Sequence, residues 1–212
     1  MDFEVNASAP VAEEETAIPS KKPSVFREIF EWIDTVFIAL LAVVVIFTFL
    51  FRVATIVGPS MQNTLYSGEK IIISDIMYEP KYGDIVVVSR NVNNKVYNDA
   101  ADSEPIIKRV IATEGQFVDI DFSQGKVYVG YDLSNMTELD EPYIKNLTTR
   151  RWDVEFPLYV TEGHIFVMGD NREDSLDSRS SSIGLIDERY ILGKAVYRIW
   201  PFDRIGGLSL DE

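Results

Sequence analysis

Residues 105–131 read PIIKRVIATEGQFVDIDFSQGKVYVGY. The runs 105–113, 116–122 and 126–131 are short, rich in Ile, Val and aromatic residues, and punctuated by Gly115 and Gly125. That is the pattern of strands separated by tight turns. Similar runs lie to either side: KIIIS (70–74), DIVVVSR (84–90), HIFVMG (164–169) and KAVYRIW (194–200). The spacing predicts a mostly β, antiparallel domain from residue 53 to 212. One helical turn is expected at DERYIL (187–192), with polar loops at NVNNKVYNDAADSE (91–104) and GYDLSNMTELDEP (130–142).

The N-terminal quarter is built differently. Residues 1–24 are rich in Glu, Ala, Ser and Pro, with little to bury, and predict a disordered acidic tail. Residues 25–52 predict a single membrane-spanning helix with its flanks. Thr35 to Phe51 is 17 residues without a charge. At 1.5 Å rise these span roughly 26 Å, and Ile33 and Val53 extend the reach toward a hydrocarbon core of about 30 Å. Trp32 sits where an aromatic belt residue belongs, and Asp34 and Arg52 are placed to snorkel. The run is too long for a signal peptide and lacks the polar face of a core helix. Lys21, Lys22 and Arg27 before it, against Arg52 and Lys70 after it, favour a cytoplasmic N-terminus by the positive-inside rule.

Composition removes several functions. The chain has 212 residues and a net charge of −14, which makes nucleic acid a poor partner and electrostatic attachment to anionic lipid unfavourable. There is no cysteine, so disulfides, thiolate catalysis and Cys-based metal sites are absent. MGDNREDSLDSRSSSIG (168–184) fails as a calcium loop because no glycine stands at its sixth position, and neither metal nor cofactor is expected.

The chemistry turns on a few side chains. Ser60 lies in VGPSMQNTL (57–65), shortly after the apolar run, and a serine nucleophile needs a base. The chain has one histidine, His164, at a strand start with no obvious acidic partner. Ser67 to Lys70, SGEK, fits S-x-x-K, but Gly68 argues for a turn rather than the helix that motif needs. Lys108 stands in an apolar strand beside Arg109, and neighbouring strand residues alternate faces. Spacing alone favours an ordinary strand-edge lysine. A buried lysine base requires its pKa to fall from about 10.4 to about 7–8, on the order of 4 kcal/mol, which an apolar pocket can supply.

GPSMQNTL, GDIVVVS, IIKRVIATEGQ and MGDNREDSLDSRSSSIG occur in that order after one apolar span. Together they resemble the sequence boxes of the type I signal peptidases, membrane-anchored Ser-Lys proteases of peptidase family S26, and in particular their Gram-positive branch. The resemblance touches most of residues 35–200. It implies a fold of the signal-peptidase and repressor-protease kind, with an antiparallel β-sheet catalytic domain preceded by a single transmembrane helix. It implies a serine endopeptidase that removes signal peptides from secretory preproteins with small residues at −3 and −1. The enzyme would sit in the cell membrane as a single-pass protein, with the catalytic domain extracytoplasmic.

By the same resemblance Ser60 matches the nucleophile and Lys108 the general base, which reverses the reading from spacing alone. Ser175 matches a serine that orients the lysine amine. Asp177 with Arg179, and Asp170 with Arg109, match supporting ion pairs. Met61 matches a residue of the substrate groove and membrane-facing surface. Where some members carry an oxyanion-hole serine this chain has Gly58, and Pro59 has no N–H, which leaves the backbone N–H of Ser60 as one expected donor and the Gly58 N–H, a water or another loop as the second. Two rival readings are a membrane-anchored β-domain that binds partners without catalysis, and a self-cleaving repressor-like protease.

Overall fold

The computed structural model describes residues 25–50, 52–89 and 104–210. The expected tail, 1–24, and most of the loop expected at 91–104 lie outside these residues. The chain divides into two units, with the boundary between Val43 and Val44.

The first element is a helix, α1, Val25–Leu50. Its large apolar side chains, among them Phe30, Trp32, Phe37, Leu40 and Leu41, are exposed. The expected span, 35–51, runs past the side chains the structure describes. Among the described residues no helix is long and apolar enough to cross a membrane.

The remaining elements are β1 (Arg52–Thr55), β2 (Lys70–Ser74), β3 (Ile85–Val88), β4 (Ile106–Ala112), β5 (Phe117–Asp121), β6 (Lys126–Gly130), β7 (Thr137–Glu138), β8 (Leu158–Tyr159), β9 (His164–Met168), β10 (Ile186–Asp187), β11 (Ile191–Trp200) and β12 (Gly206–Gly207). A short 3₁₀ turn, Glu188–Tyr190, occupies the place expected for helix. The main sheet has the order β1-β2-β11-β3-β4-β9-β10, with β12 also paired to β11, and a smaller sheet has the order β7-β6-β5-β8. Every pairing among the described strands is antiparallel. Register shifts along β11 and between β4 and β9 bend the main sheet, as bulges do.

The alternation of β3 explains how this sheet is covered. Ile85 and Val87 belong to one core with Ile56, Met61, Leu65, Ile71 and Ile73. Val86 and Val88 belong to another with Val110, Ile165, Val167 and Ile183. Both faces are therefore buried, and all four residues of β3 are apolar for that reason. The small sheet attaches through a third core, in which Val118, Ile120, Val127 and Val129 meet Ile111, Phe166 and Met168. Edge-to-face contacts run from Phe122 to Phe156 to Phe166 across it, at centroid distances of 5.8 and 5.9 Å.

Candidate active site

Ser60 follows β1 in a tight turn. Gly58 has φ +86°, a conformation that side-chain-bearing residues rarely adopt, and it turns the chain into Pro59 and Ser60. Bonds from the Gln62 N–H to the Pro59 carbonyl (3.1 Å) and from the Thr64 and Leu65 N–H groups to the Met61 carbonyl (2.9 and 2.8 Å) hold it. Met61 and Leu65 anchor it in the first core. Among the described residues, the N–H groups of Gly58 and Ser60 make no backbone hydrogen bond.

Lys108 arrives from β4. Only 4% of it is exposed, and its Nζ donates to Ser60 Oγ at 3.0 Å and to the Ile107 carbonyl at 3.0 Å. An interior lysine head group within hydrogen-bond reach of a serine is the geometry a nucleophile and base require. A groove of about 580 Å³ opens beside the pair. The segments 54–58 and 104–108 line it together with Ile73, Val87 and Leu192. It is the open end of the first core, so its surface is mainly aliphatic.

The opposite flank of Ser60 is ionic. The loop after β9 lies on the nucleophile turn. The Asn171 N–H donates to the Ser60 carbonyl (3.0 Å), and Asn171 Nδ2 donates to the Pro59 carbonyl (3.2 Å). A Cβ added to Gly169 would lie 2.5 Å from the Ser60 carbonyl oxygen and 2.3 Å from Ser175 Oγ, so only glycine permits this approach. Asp170 receives Arg109 Nε (2.8 Å) and Nη2 (2.7 Å), and also the Thr64 hydroxyl. Asp177 receives Arg179 Nε and Nη2, each at 2.9 Å, and the Gly169 N–H at 3.1 Å. Burial alone pushes the Asp177 carboxyl up, but the Arg179 guanidinium and the Gly169 N–H outweigh it and hold it below the usual carboxylate range.

A third buried pair escaped the sequence reading. Arg172 meets Glu141 through Nη2 (2.5 Å) and Nη1 (3.0 Å) and donates from Nε to the Gly169 carbonyl (3.0 Å). Glu141 also accepts from the Tyr143 hydroxyl (2.9 Å), and the Arg109 guanidinium lies 4.0 Å over the Tyr143 ring. The segment 139–157, which joins β7 to β8, thus braces the loop that carries Asp170 and Asp177. Burial and then the Glu141 charge raise the Tyr143 phenol above its ordinary value. The crowding of Asp, Asn, Arg, Glu and Ser in 170–175 was the available signal for this network.

The other residues singled out in the sequence occupy these places. Met61 lines the groove but is 1% exposed, so it belongs to no outer surface; its side chain fills the first core instead. Ser175 is buried on the loop after β9 and helps to lower the Asp177 carboxyl. His164 is half-buried, with Nδ1 2.8 Å from the Glu162 carbonyl.

Residues 29–200 match the family described as signal peptidase, peptidase S26. A signal peptidase I of Bacillus licheniformis is 32% identical over 192 residues, covering 84% of this chain and 92% of the relative. A signal peptidase IB of Staphylococcus aureus (strain COL) is 31% identical over 194 residues, covering 83% of this chain and 92% of the relative. A crystal structure of a signal peptidase I from Enterococcus faecalis V583 shares 22% identity and covers 56% of this chain and 98% of its own, with a TM-score of 0.43.

Proposed function

The chain belongs to the signal peptidase family S26, whose type I members are serine endopeptidases, and from that premise we propose that it cleaves preproteins with Ser60 as nucleophile and Lys108 as general base. The observation that carries this reading is the 3.0 Å contact between Lys108 Nζ and Ser60 Oγ in an amine site that is almost wholly buried.

The preprotein enters as an extended strand between the segments 54–58 and 104–108. Its main chain bonds to exposed backbone there, as in β-augmentation. Ile73, Val87 and Leu192 in the groove lining select small side chains at −3 and −1. Neutral Lys108 takes the Ser60 proton as Oγ attacks the scissile carbonyl. The N–H groups of Ser60 and Gly58 stabilise the oxyanion. The lysine passes its proton to the departing amine, and then activates the water that hydrolyses the acyl-enzyme. Ser175 orients the amine through its buried hydroxyl. The ion pairs Asp170–Arg109 and Asp177–Arg179 hold the loop against the nucleophile turn.

The helix α1 anchors the protein in the cell membrane in a single pass, with the N-terminus cytoplasmic and the β domain outside. The uncharged sequence run 35–51 and the exposed apolar side chains of α1 support this placement. The test is incubation of the purified full chain in detergent with a peptide spanning a small-x-small boundary. Cleavage after the second small residue, with a transient acyl mass on the Ser60 peptide, is the expected result. Cleavage that survives Ser60→Ala would overturn the assignment.

A further inference from the structure

The groove accounts for one side of Ser60 only. Its lining runs from Glu104 to Lys108 and from Ala54 to Met61, and includes neither Gln62 nor anything from the 140s. The side past the nucleophile is polar. There Lys145 Nζ donates to Gln62 Oε1 at 2.9 Å, and Asn146 Nδ2 donates to Asn171 Oδ1 at 3.4 Å. Lys145 is exposed, yet its position is set. Its N–H donates to the Asp170 carbonyl (3.0 Å), the Ile144 N–H donates to the Glu141 carbonyl (3.2 Å), and Tyr143 between them is buried under Arg109. Asp170 is followed by Asn171, whose N–H holds the Ser60 carbonyl. A short run of backbone bonds therefore ties this lysine to the nucleophile turn.

The charges around Lys145 are already satisfied. Asp170 is held by Arg109, Glu141 by Arg172 and Asp177 by Arg179. Among the described residues, Lys145 has a neutral amide as its side-chain partner and no carboxylate. In a chain of net charge −14, that leaves a local cation on the polar flank, opposite in sign to Glu104 in the groove.

We propose that Gln62 and Lys145 form the subsite for the released side of the substrate, and that Lys145 selects for an acidic side chain within the first three residues after the scissile bond. This rests on the reading of Ser60 as nucleophile and of the groove as the seat of the signal peptide. If the groove holds the acyl half, the departing half must leave across Gln62. An extended strand presents alternate side chains to one face, so one of the first positions faces Lys145. The Gln62 carbonyl fixes the amine without neutralising it, and a carboxylate arriving there gains a charge-assisted hydrogen bond.

The test uses the full chain in detergent and peptides with a small-x-small boundary, carrying Glu, Gln or Lys at each of the first three positions after the cut. The readout is the ratio of kcat/KM for Glu over Lys within each protein, so overall rates do not enter. The unaltered chain is expected to favour Glu about three- to tenfold at one position, with the preference shrinking as salt rises. Lys145→Gln is expected to bring the ratio near one, and Lys145→Glu to invert it. A ratio of one at all three positions in the unaltered chain, or a Glu preference that persists in Lys145→Glu, overturns the subsite. If that variant fails to fold, the unaltered chain's ratio and its decay with salt decide the matter. Cleavage of the Gln peptides separates the two readings. Retained with a flat ratio, it removes the subsite alone; absent in the unaltered chain, it removes the peptidase reading and the subsite with it.

Discussion

Lys108 and Arg109 are chain neighbours, 4% and 1% exposed, and their surroundings treat them in opposite ways. The Lys108 amine sits at the edge of an aliphatic groove and reaches a serine hydroxyl and a backbone carbonyl. The Arg109 guanidinium is enclosed by the Asp170 carboxylate, the Gly83 carbonyl and the Tyr143 ring. The two flanks of Ser60 follow the same division. One is mainly aliphatic and open. The other is dense in buried ion pairs, which fix geometry, beneath an exposed rim that carries Lys145. The difference follows from the side chains themselves: a desolvated lysine can release its proton, whereas an arginine stays charged and must be matched.

The largest expected effect separates the two neighbours. Ser60→Ala and Lys108→Met should each lower preprotein cleavage by at least about a thousandfold while leaving the thermal melt intact, because they remove chemistry and not support. The double variant should be no worse than either alone, since the two act as one unit. If the double loses a further large factor, each residue contributes independently and the dyad reading fails.

On the ionic flank the loss should be in stability. Asp177→Asn leaves Arg179 buried without its counter-charge and should cost about 3–5 kcal/mol in denaturant unfolding. The pH dependence has a definite sign. The Asp177 carboxyl is held below its unfolded value, so its contribution is complete above the ordinary carboxylate range, near pH 4–5, and is lost as the pH falls through the folded value. The acid limb of the stability curve should therefore be shallower in Asp177→Asn than in the unaltered chain. An unchanged acid limb would remove this residue from the account.

Between the flanks, Gly169→Ala tests how closely the ionic loop sets the nucleophile. Its Cβ would meet the Ser60 carbonyl oxygen at 2.5 Å, so the backbone must shift. A displacement of about 1 Å should cost on the order of 10² in kcat, with the apolar cores unaffected. Activity close to that of the unaltered chain would show that the two flanks are not coupled. The smallest effect belongs to the groove. Leu192→Ala should relax the preference for small residues at −3 or −1 by about tenfold, read as the kcat/KM ratio of Val over Ala peptides.

The parts legible in the sequence were those governed by local period. KIIIS at 70–74 coincides with β2, and the runs behind β3 to β6 and β9 needed only trimming at their ends. β11 begins three residues before its run, at Ile191. β1 was not legible, because Arg52–Thr55 continues an apolar stretch and its pairing to β2 is what makes it a strand. The two-residue strands β7, β8, β10 and β12 likewise exist only through their partners. At the site, the ordered boxes carried the expected residues but no sign of their burial. Lys108 read as an edge charge because nothing in PIIKRVIAT shows that the Ser60 turn closes over it. Glu141 was invisible for a similar reason: its partner Arg172 lies 31 residues away, in a different loop.

The central claim is that a single amine at position 108 takes the proton from Ser60. The chain contains no cysteine, so Lys108→Cys carries the only thiol in the molecule, and 2-bromoethylamine converts that thiol to a lysine-like amine. The account predicts that the cysteine variant is inactive on a preprotein and that alkylation restores cleavage at the same bond. A cysteine variant that cuts at the native rate, or an alkylated protein with a native melt that stays inactive, would contradict it.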